Sequence, residues 1–526
     1  MNKLDYLVYE IYVRSFMDSN DDGIGDLNGV ISKLDYLKNL GVTHVWLSPI
    51  FESPNKDLGY DVSDYYKINK EYGTMDDLIK LIKKAHELDI KIILDFVLNH
   101  TSDKNKYFLE ALENKDSKYR EYFFFADKPL NNLGSQFGGS AWHEVNGEYY
   151  LGLFSKYQVD FNYNSKNLRN EILDILEYYL KMGVDGFRFD VISLISKPKK
   201  FIDYEINESL YSDFKNIANG KNIFKYLKEI STLLKKYGAI SIGEGSGLTP
   251  KKSLKYYKYL DFVFTFDLMN TDGSETYKWN NRLVTVKEIK EVLKFNSLIH
   301  DSKRPYTLFL DNHDQPRYTS RFADKDIPFY SNSLILSLVY LLKGTIFCFQ
   351  GDEIGMTNYN FKSGEELIDI ESKNIFASFK DKKEILSYIN LKARDHGRTP
   401  MHWDDSLNAG FTKNTPWSVI NPNYLKINVS KFEKDQSSIL SYFKKIINLK
   451  RRNLPLKFGK VKFINVSLPL IIYNRIYKSH QIMCVFNYSK EIISIDLKNN
   501  NIIFSNYQVN DNSKLKPYEV RIIQVK

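Results

Sequence analysis

Short apolar runs alternate along the chain with longer stretches that carry a helical repeat. LVYEIYVRSF (7–16), THVWLSPI (43–50) and KIILDFVLNH (91–100) read as strands. Between the first two, NGVISKLDYLKNLG (28–41) puts Val30, Ile31, Leu34, Leu37 and Leu40 on one helical face, with Gly41 as its stop. A further helix is expected at about 75–89. The alternation breaks over 101–165, a stretch rich in Asn, Gly and aromatics. A structureless loop of that length is uncommon, so an inserted subdomain is predicted there. A helix at about 167–182 then restores the pattern. The strands GFRFDVI (186–192), AISIGEG (239–245), DFVFTFDL (261–268), YTLFLDNHD (306–314) and GTIFCFQGDE (344–353) follow. Eight strands, each trailed by helical sequence, predict a (β/α)8 TIM barrel. From about 454 the segments FGKVKFINVSLPLIIYNRI, QIMCVFNYS and EIISIDLKN are β-rich and separated by turns. The predicted organisation is therefore a barrel from 1–100 and 166–453, an insert at 101–165, and a C-terminal antiparallel β domain at 454–526.

Composition narrows the class. At 526 residues, with 43% hydrophobic and 26% charged content, the chain is globular and large enough for a barrel with appendages. The net charge of +9 comes from 74 basic residues against 65 acidic ones, scattered along the chain. Scattering points to a lysine-rich solvated surface and away from nucleic acid. Two cysteines make no disulfide framework, and Cys348 inside GTIFCFQG reads as core packing. No run approaches the ~20 apolar residues that span a bilayer, and the N-terminal stretch lacks a cleavable leader. A soluble cytoplasmic protein, monomeric or weakly oligomeric, with no membrane partner, is the expectation.

Polar residues fall where the strands end. Asn99 and His100 close the third strand, Arg188 and Asp190 lie near the end of the fourth, Glu244 ends the fifth, and His313 and Asp314 end the seventh. Singly, each has a plain structural reading: a buried ion pair, a helix cap, a core histidine. Together they gather at the C-terminal rim, the active face of such barrels. Carboxylates with histidines and no metal cluster suit glycoside cleavage, in which one carboxylate attacks the anomeric carbon and another protonates the leaving oxygen. Arg188 is expected to keep Asp190 ionised, and a drier pocket is expected to raise Glu244 so that it acts as the acid. No zinc motif, P-loop or nucleophile elbow competes.

One loop has other chemistry. DSNDDGIGD (18–26) spaces Asp18, Asn20, Asp22 and Asp26 around Gly23, with the Ile24 carbonyl placed as a backbone ligand. An EF-hand is excluded, because the twelfth position is Gly29 and the stretch joins a strand to a helix. A structural Ca2+ site and a plain Asx-rich turn both remain open on these residues.

DFVLNH (95–100), GFRFD (186–190), GE (243–244) and FLDNHD (309–314) occur in order and at barrel spacing, joined by GYDVSDY (59–65), QVDFN (158–162) and RTPMHW (398–403). In these the chain resembles the α-amylase superfamily over essentially its whole length, and within it the oligo-1,6-glucosidase group. The resemblance implies Asp190 as nucleophile, Glu244 as acid/base and Asp314 as the third carboxylate. It implies Tyr60, Asp61, His100, Arg188, His313 and Arg398 as the pocket for a non-reducing glucose. It further implies retaining, exo-acting hydrolysis of a small oligosaccharide or disaccharide, no organic cofactor, and calcium at the 18–26 loop. Val191, directly after the nucleophile, goes in that group with α-1,6 linkages. Relatives usually carry Pro and Leu at Val159 and Phe161, and often Met at Gly245, where the missing side chain would border the leaving-group subsite. Trehalose-6-phosphate hydrolase shares Val191 and ISKP (195–198); Lys197, Lys199 and Lys200 could receive its phosphate or form a solvated cluster. A sucrose isomerase or a broad α-glucosidase is the next alternative. Non-catalytic transporter-associated homologues are remote, because they carry a membrane span and have usually lost the carboxylates retained here.

Overall fold

The computed structural model describes residues 2–203, 217–273, 278–300, 304–497 and 501–525. Among these, eight parallel strands form the central sheet: β1 (Leu7–Ile11), β2 (His44–Leu47), β3 (Lys91–Val97), β4 (Gly186–Asp190), β5 (Ile240–Glu244), β6 (Phe262–Phe264), β7 (Tyr306–Leu308) and β8 (Gly344–Phe349). Their hydrogen-bonded order is β6-β5-β4-β3-β2-β1-β8-β7, a barrel whose ladder is interrupted only between β6 and β7. Alternation decides what faces inward. On β4, Phe187 and Phe189 are buried on one face while Arg188 and Asp190 occupy the other. Register then sets Arg188 directly beside Asp95 of β3.

The predicted helix at 28–41 is two short helices, Leu27–Ser32 and Leu34–Leu40, parted at Lys33. The Ser32 hydroxyl donates to the Gly29 carbonyl at 2.7 Å, taking the acceptor the Lys33 amide would use, and that amide bonds Val30 instead. The apolar face survives the break, with Val30, Leu34, Leu37 and Leu40 buried.

After β3 the chain leaves the barrel through a narrow neck. His100–Ser102 pairs antiparallel with Gln158–Asp160, Asp160 opposite His100. Between these strands lie a helix, Lys106–Glu113, and a small sheet of Phe125–Ala126, Trp142–Val145 and Glu148–Leu151. This insert has its own apolar cluster around Trp142, Leu151 and Leu153, which reaches Val191 and Leu194 of the barrel rim. Beyond β8, the C-terminal sheet comprises β9 (Lys460–Phe463), β10 (Leu470–Tyr477), β11 (His480–Asn487), β12 (Asn501–Ser505) and β13 (Val520–Val525), ordered β9-β10-β11-β13-β12 and antiparallel throughout. Among the described residues, the segment EIISIDLKN contributes the strand Ile493–Ser494, paired with Lys514–Leu515. Among the described residues no helix is long and apolar enough to cross a membrane.

Candidate active site

At the C-terminal mouth of the barrel, a cavity of about 130 Å³ is lined by Asp190, Val191, Glu244 and Ser246 on one side and by Asp57, Tyr60, Asp314 and Arg394 on another. His100 and Gln158 from the neck, with Phe137 and Phe154 from the insert, complete it.

Arg188, only 1% exposed, organises the carboxylates. Its Nη1 donates to Asp190 Oδ1 at 2.8 Å and to Asp95 at 3.0 Å, and its Nη2 donates to Glu244 Oε2 at 2.7 Å. The guanidinium also lies 5.1 Å from the Trp46 ring centroid. Glu244 collects two further donors, the Val191 amide at 3.1 Å and the Ser246 hydroxyl at 3.1 Å. The Val191 amide is aimed by an unusual backbone, φ 33° and ψ 45°, left-handed at a β-branched residue.

These contacts reverse one expectation. Burial, then the Glu244 charge, raises the Asp190 carboxyl well above the usual carboxylate range despite Arg188. The reason is geometric: one guanidinium is divided among Asp95, Asp190 and Glu244, while three donors converge on Glu244.

The opposite wall carries positive charge. Arg398 donates to Asp314 Oδ1 at 2.9 Å and to Asp369 at 3.1 Å; Arg394 donates to Asp314 Oδ1 at 3.0 Å and to Asp57 at 3.1 Å. Burial alone would raise Asp314, but His313, Arg394 and Arg398 outweigh it and hold the carboxyl well below its usual range. The two histidines carry different charges. Burial lowers His100 to about 4, so its ring is neutral. Its Nε2–H donates to the Tyr60 carbonyl at 3.1 Å and Nδ1 accepts from the Asn99 amide at 3.2 Å, which assigns the tautomer. His313 is pushed up to about 10: burial alone would lower it, but Asp314 and Glu10 prevail.

Of the residues predicted from sequence, Asp190, Glu244, Asp314, Tyr60 and His100 line the cavity, and Arg188, His313 and Arg398 stand directly behind it. Asp61 does not belong there. Its carboxylate is consumed within its own turn by the Ser53 hydroxyl and the amides of Lys56 and Asp57, and Asp57, four residues earlier, faces the cavity instead. Gly245 is also misread as a gap beside the leaving group. A Cβ there would meet the Phe264 carbonyl at 2.6 Å and Leu248 at 2.7 Å, so glycine is required by packing, and Ser246 is the residue that faces the cavity. Lys197 is not a solvated lysine. Its side chain is 2% exposed and its ammonium bonds Asp160 at 2.5 Å, Asn99, and the Leu194 carbonyl at 2.9 Å. Glu10, Asp57, Asp95, Gln158, Ser246 and Arg394 escaped the sequence reading. For Glu10 and Asp95 a signal exists, a lone acid inside an otherwise apolar strand.

In the 18–26 loop, Asp18 accepts from the amides of Asn20, Asp21 and Gly23, and Asp26 accepts from Ser19 and the Gly29 amide. Gly23, at φ 92°, turns tightly against Thr415, whose carbonyl would lie 2.1 Å from a Cβ. Asp18 and Asp26 are buried, whereas Asn20 and Asp22 are exposed. Among the described residues no group of three or more His, Cys, Asp or Glu is gathered as a metal centre.

Comparison with known proteins places these observations. Residues 10–459 match the alpha amylase, catalytic domain family. The oligo-1,6-glucosidase of Bacillus cereus is 40% identical over 99% of this chain and 98% of its own length. The trehalose-6-phosphate hydrolase of Bacillus subtilis (strain 168) is 37% identical over 85% of this chain and 82% of its own. Among solved structures, isomaltulose synthase from Klebsiella sp. LX3 superposes with a TM-score of 0.94 at 33% identity, covering 100% of this chain and 99% of that one.

Proposed function

The chain belongs to the alpha-amylase family of glycoside hydrolases, and from that premise we propose that it is a retaining, exo-acting α-glucosidase that releases terminal α-1,6-linked glucose from isomalto-oligosaccharides. The observation that carries the reading is the Asp190–Arg188–Glu244 cluster at the wall of the cavity at the barrel mouth. One guanidinium bridges both carboxyls, through Nη1 to Asp190 and Nη2 to Glu244. Two carboxyls held on one guanidinium stand close together, which supports the retaining class, whose carboxyls stand about 5–5.5 Å apart, over the inverting class at about 6.5–9.5 Å.

In this mechanism Asp190 acts as the ionised member of the pair and Glu244 as the protonated one. Asp190 then attacks C1 as the bond from C1 to the leaving oxygen breaks, and Glu244 gives its proton to that oxygen. The covalent glucosyl ester on Asp190 is cleaved by a water that Glu244, now ionised, deprotonates. Asp314, kept ionised by its three cationic neighbours, accepts hydroxyl protons of the sugar and favours a distorted ring. Arg188 holds both reacting carboxyls in register throughout.

Exo action is supported by the insert and the Arg394–Arg398 segment, which together roof the cavity through Phe137, Phe154 and Arg394. A phosphorylated substrate is less well supported: Lys197 is neutralised by Asp160, and Arg394 is already paired with Asp57, Asp314 and Asp369. With isomaltose, maltose, trehalose 6-phosphate and sucrose assayed side by side, kcat/KM for isomaltose should exceed the others by at least about tenfold. A preference for trehalose 6-phosphate would replace this substrate reading while leaving the chemistry intact.

For the 18–26 loop we propose a structural calcium ion held by Asp18, Asn20, Asp22, Asp26 and the Ile24 carbonyl. The donors are all hard oxygens, as calcium requires. Asp18 and Asp26 are buried with no lysine or arginine partner among the described residues, which supports an outside cation. The bound ion would fasten the β1 loop to the segment after Arg398, which it already touches through Asp18–Phe411 and Trp417–Gly23 backbone bonds. Chelation should lower the melting temperature by several degrees and added calcium should restore it. An unchanged melting temperature, with no calcium in the purified protein, would identify the loop as a polar turn.

A further inference from the structure

Glu10 is the only acid in LVYEIYV, and at 3% exposure it is buried within β1. Its Oε1 stands 2.5 Å from His313 Nδ1. The His313 ring cannot turn away: it lies parallel to Tyr60, centroids 5.3 Å apart, and to Tyr12 at 6.1 Å, with Trp46 edge-on at 6.2 Å. Its other nitrogen, Nε2, is 2.7 Å from the Tyr60 hydroxyl and 3.2 Å from Asp314 Oδ2.

Proton counting along this chain fits a ring protonated at both nitrogens. The Tyr60 hydroxyl has a single proton, which it donates to Asp95 Oδ2 at 3.0 Å. Towards His313 that oxygen can only accept, so Nε2 carries a proton. Nδ1 faces a carboxylate and carries one too. Every charged or titratable group around the ring fits this assignment. Glu10 and Tyr12 come from β1 and the turn after it, Tyr60 from the β2 loop, and Asp95 from β3 with Arg188 of β4 behind it. Asp314 adjoins the ring, and Arg398 donates to the His313 carbonyl at 3.2 Å and to Asp314 at 2.9 Å.

We propose that Glu10 is a positioning residue of the sugar pocket: its carboxylate holds His313 as a cation with Nε2–H turned to Tyr60 and Asp314, fixing which pocket groups donate and which accept. This rests on the glucosidase reading of the same site. Without the Glu10 charge the ring would release its Nε2 proton in the neutral to alkaline range. Tyr60 would then turn its hydroxyl from Asp95 to Nε2, and Asp314 would lose a cationic neighbour.

Glu10→Gln tests this, because the amide oxygen still accepts from Nδ1 while the charge is gone. The loss in kcat/KM on p-nitrophenyl α-glucoside should be at least tenfold greater at pH 8 than at pH 5.5. Glu10→Asp, which restores the charge, should recover much of the pH 8 loss. A loss of equal size at both pH values would mark Glu10 as merely structural and overturn the proposal, as would a profile superimposable on wild type. An independent arm reads the ring directly. In 15N-histidine-labelled wild type, with His313 assigned by its disappearance in His313→Gln, both nitrogens should remain protonated at pH 8. A neutral His313 there overturns the proposal even if Glu10→Gln does not fold. Wild type inert on every glucoside would sink the glucosidase reading alone, because the spectroscopic arm needs no substrate.

Discussion

Asp190→Asn should lower kcat on p-nitrophenyl α-glucoside by roughly four orders of magnitude or more, about 5.4 kcal/mol of barrier. The substitution is nearly isosteric and leaves Arg188 its acceptor at Oδ1. The cavity should keep its shape and its affinity for glucose. What is lost is the electron pair that attacks C1, so kcat falls while competitive inhibition by glucose stays within a few fold of wild type. Equal loss of binding and turnover would show that the substitution disturbs the cavity and would remove the support for Asp190 as nucleophile. Activity within tenfold of wild type would exclude that role outright.

Arg188→Met should cost about 3–5 kcal/mol of stability at neutral pH, the range for removing one partner of a buried charge cluster. Methionine fills part of the volume but leaves Asp95, Asp190 and Glu244 facing one another without a counter-charge. The pH dependence identifies the cause. Burial already raises Asp95 and Asp190 in the wild type, and removing the arginine raises them further. A group whose folded-state carboxyl is raised binds more protons folded than unfolded, so its destabilisation is greatest above the folded value and shrinks as pH falls through it. The melting-temperature deficit of Arg188→Met should therefore be clearly smaller at pH 5 than at pH 8. A deficit that does not change with pH would assign the loss to packing against Trp46 instead.

Much of this arrangement is legible in the chain before any folding is considered. Strand ends are local facts: DFVLNH, GFRFD and FLDNHD each place their polar residues where an apolar run stops, and the barrel brings strand ends together. Arg188 and Asp190 share a face because they are two apart on a strand. What escapes is set by loops and by division of charge. Asp57 and Asp61 lie in one turn, and only its folded path shows that Asp61 is spent on backbone amides while Asp57 meets Arg394. The upward shift of the Asp190 carboxyl depends on how many carboxylates claim the same guanidinium, and Asp95, the third claimant, lies on a strand 93 residues from Arg188. Lys197 looks solvated beside Lys199 and Lys200 because its partner Asp160 arrives through the insert.

The left-handed backbone at Val191 has a consequence for anyone who would redirect this enzyme. A β-branched side chain at φ 33° forgoes stability, of order 1–3 kcal/mol, to hold one amide on Glu244. The same side chain lies in the apolar cluster of the insert and on the cavity wall. A smaller residue would relieve the backbone and loosen the insert in one stroke. A substitution at this position made to reshape the cavity therefore also acts on heat tolerance.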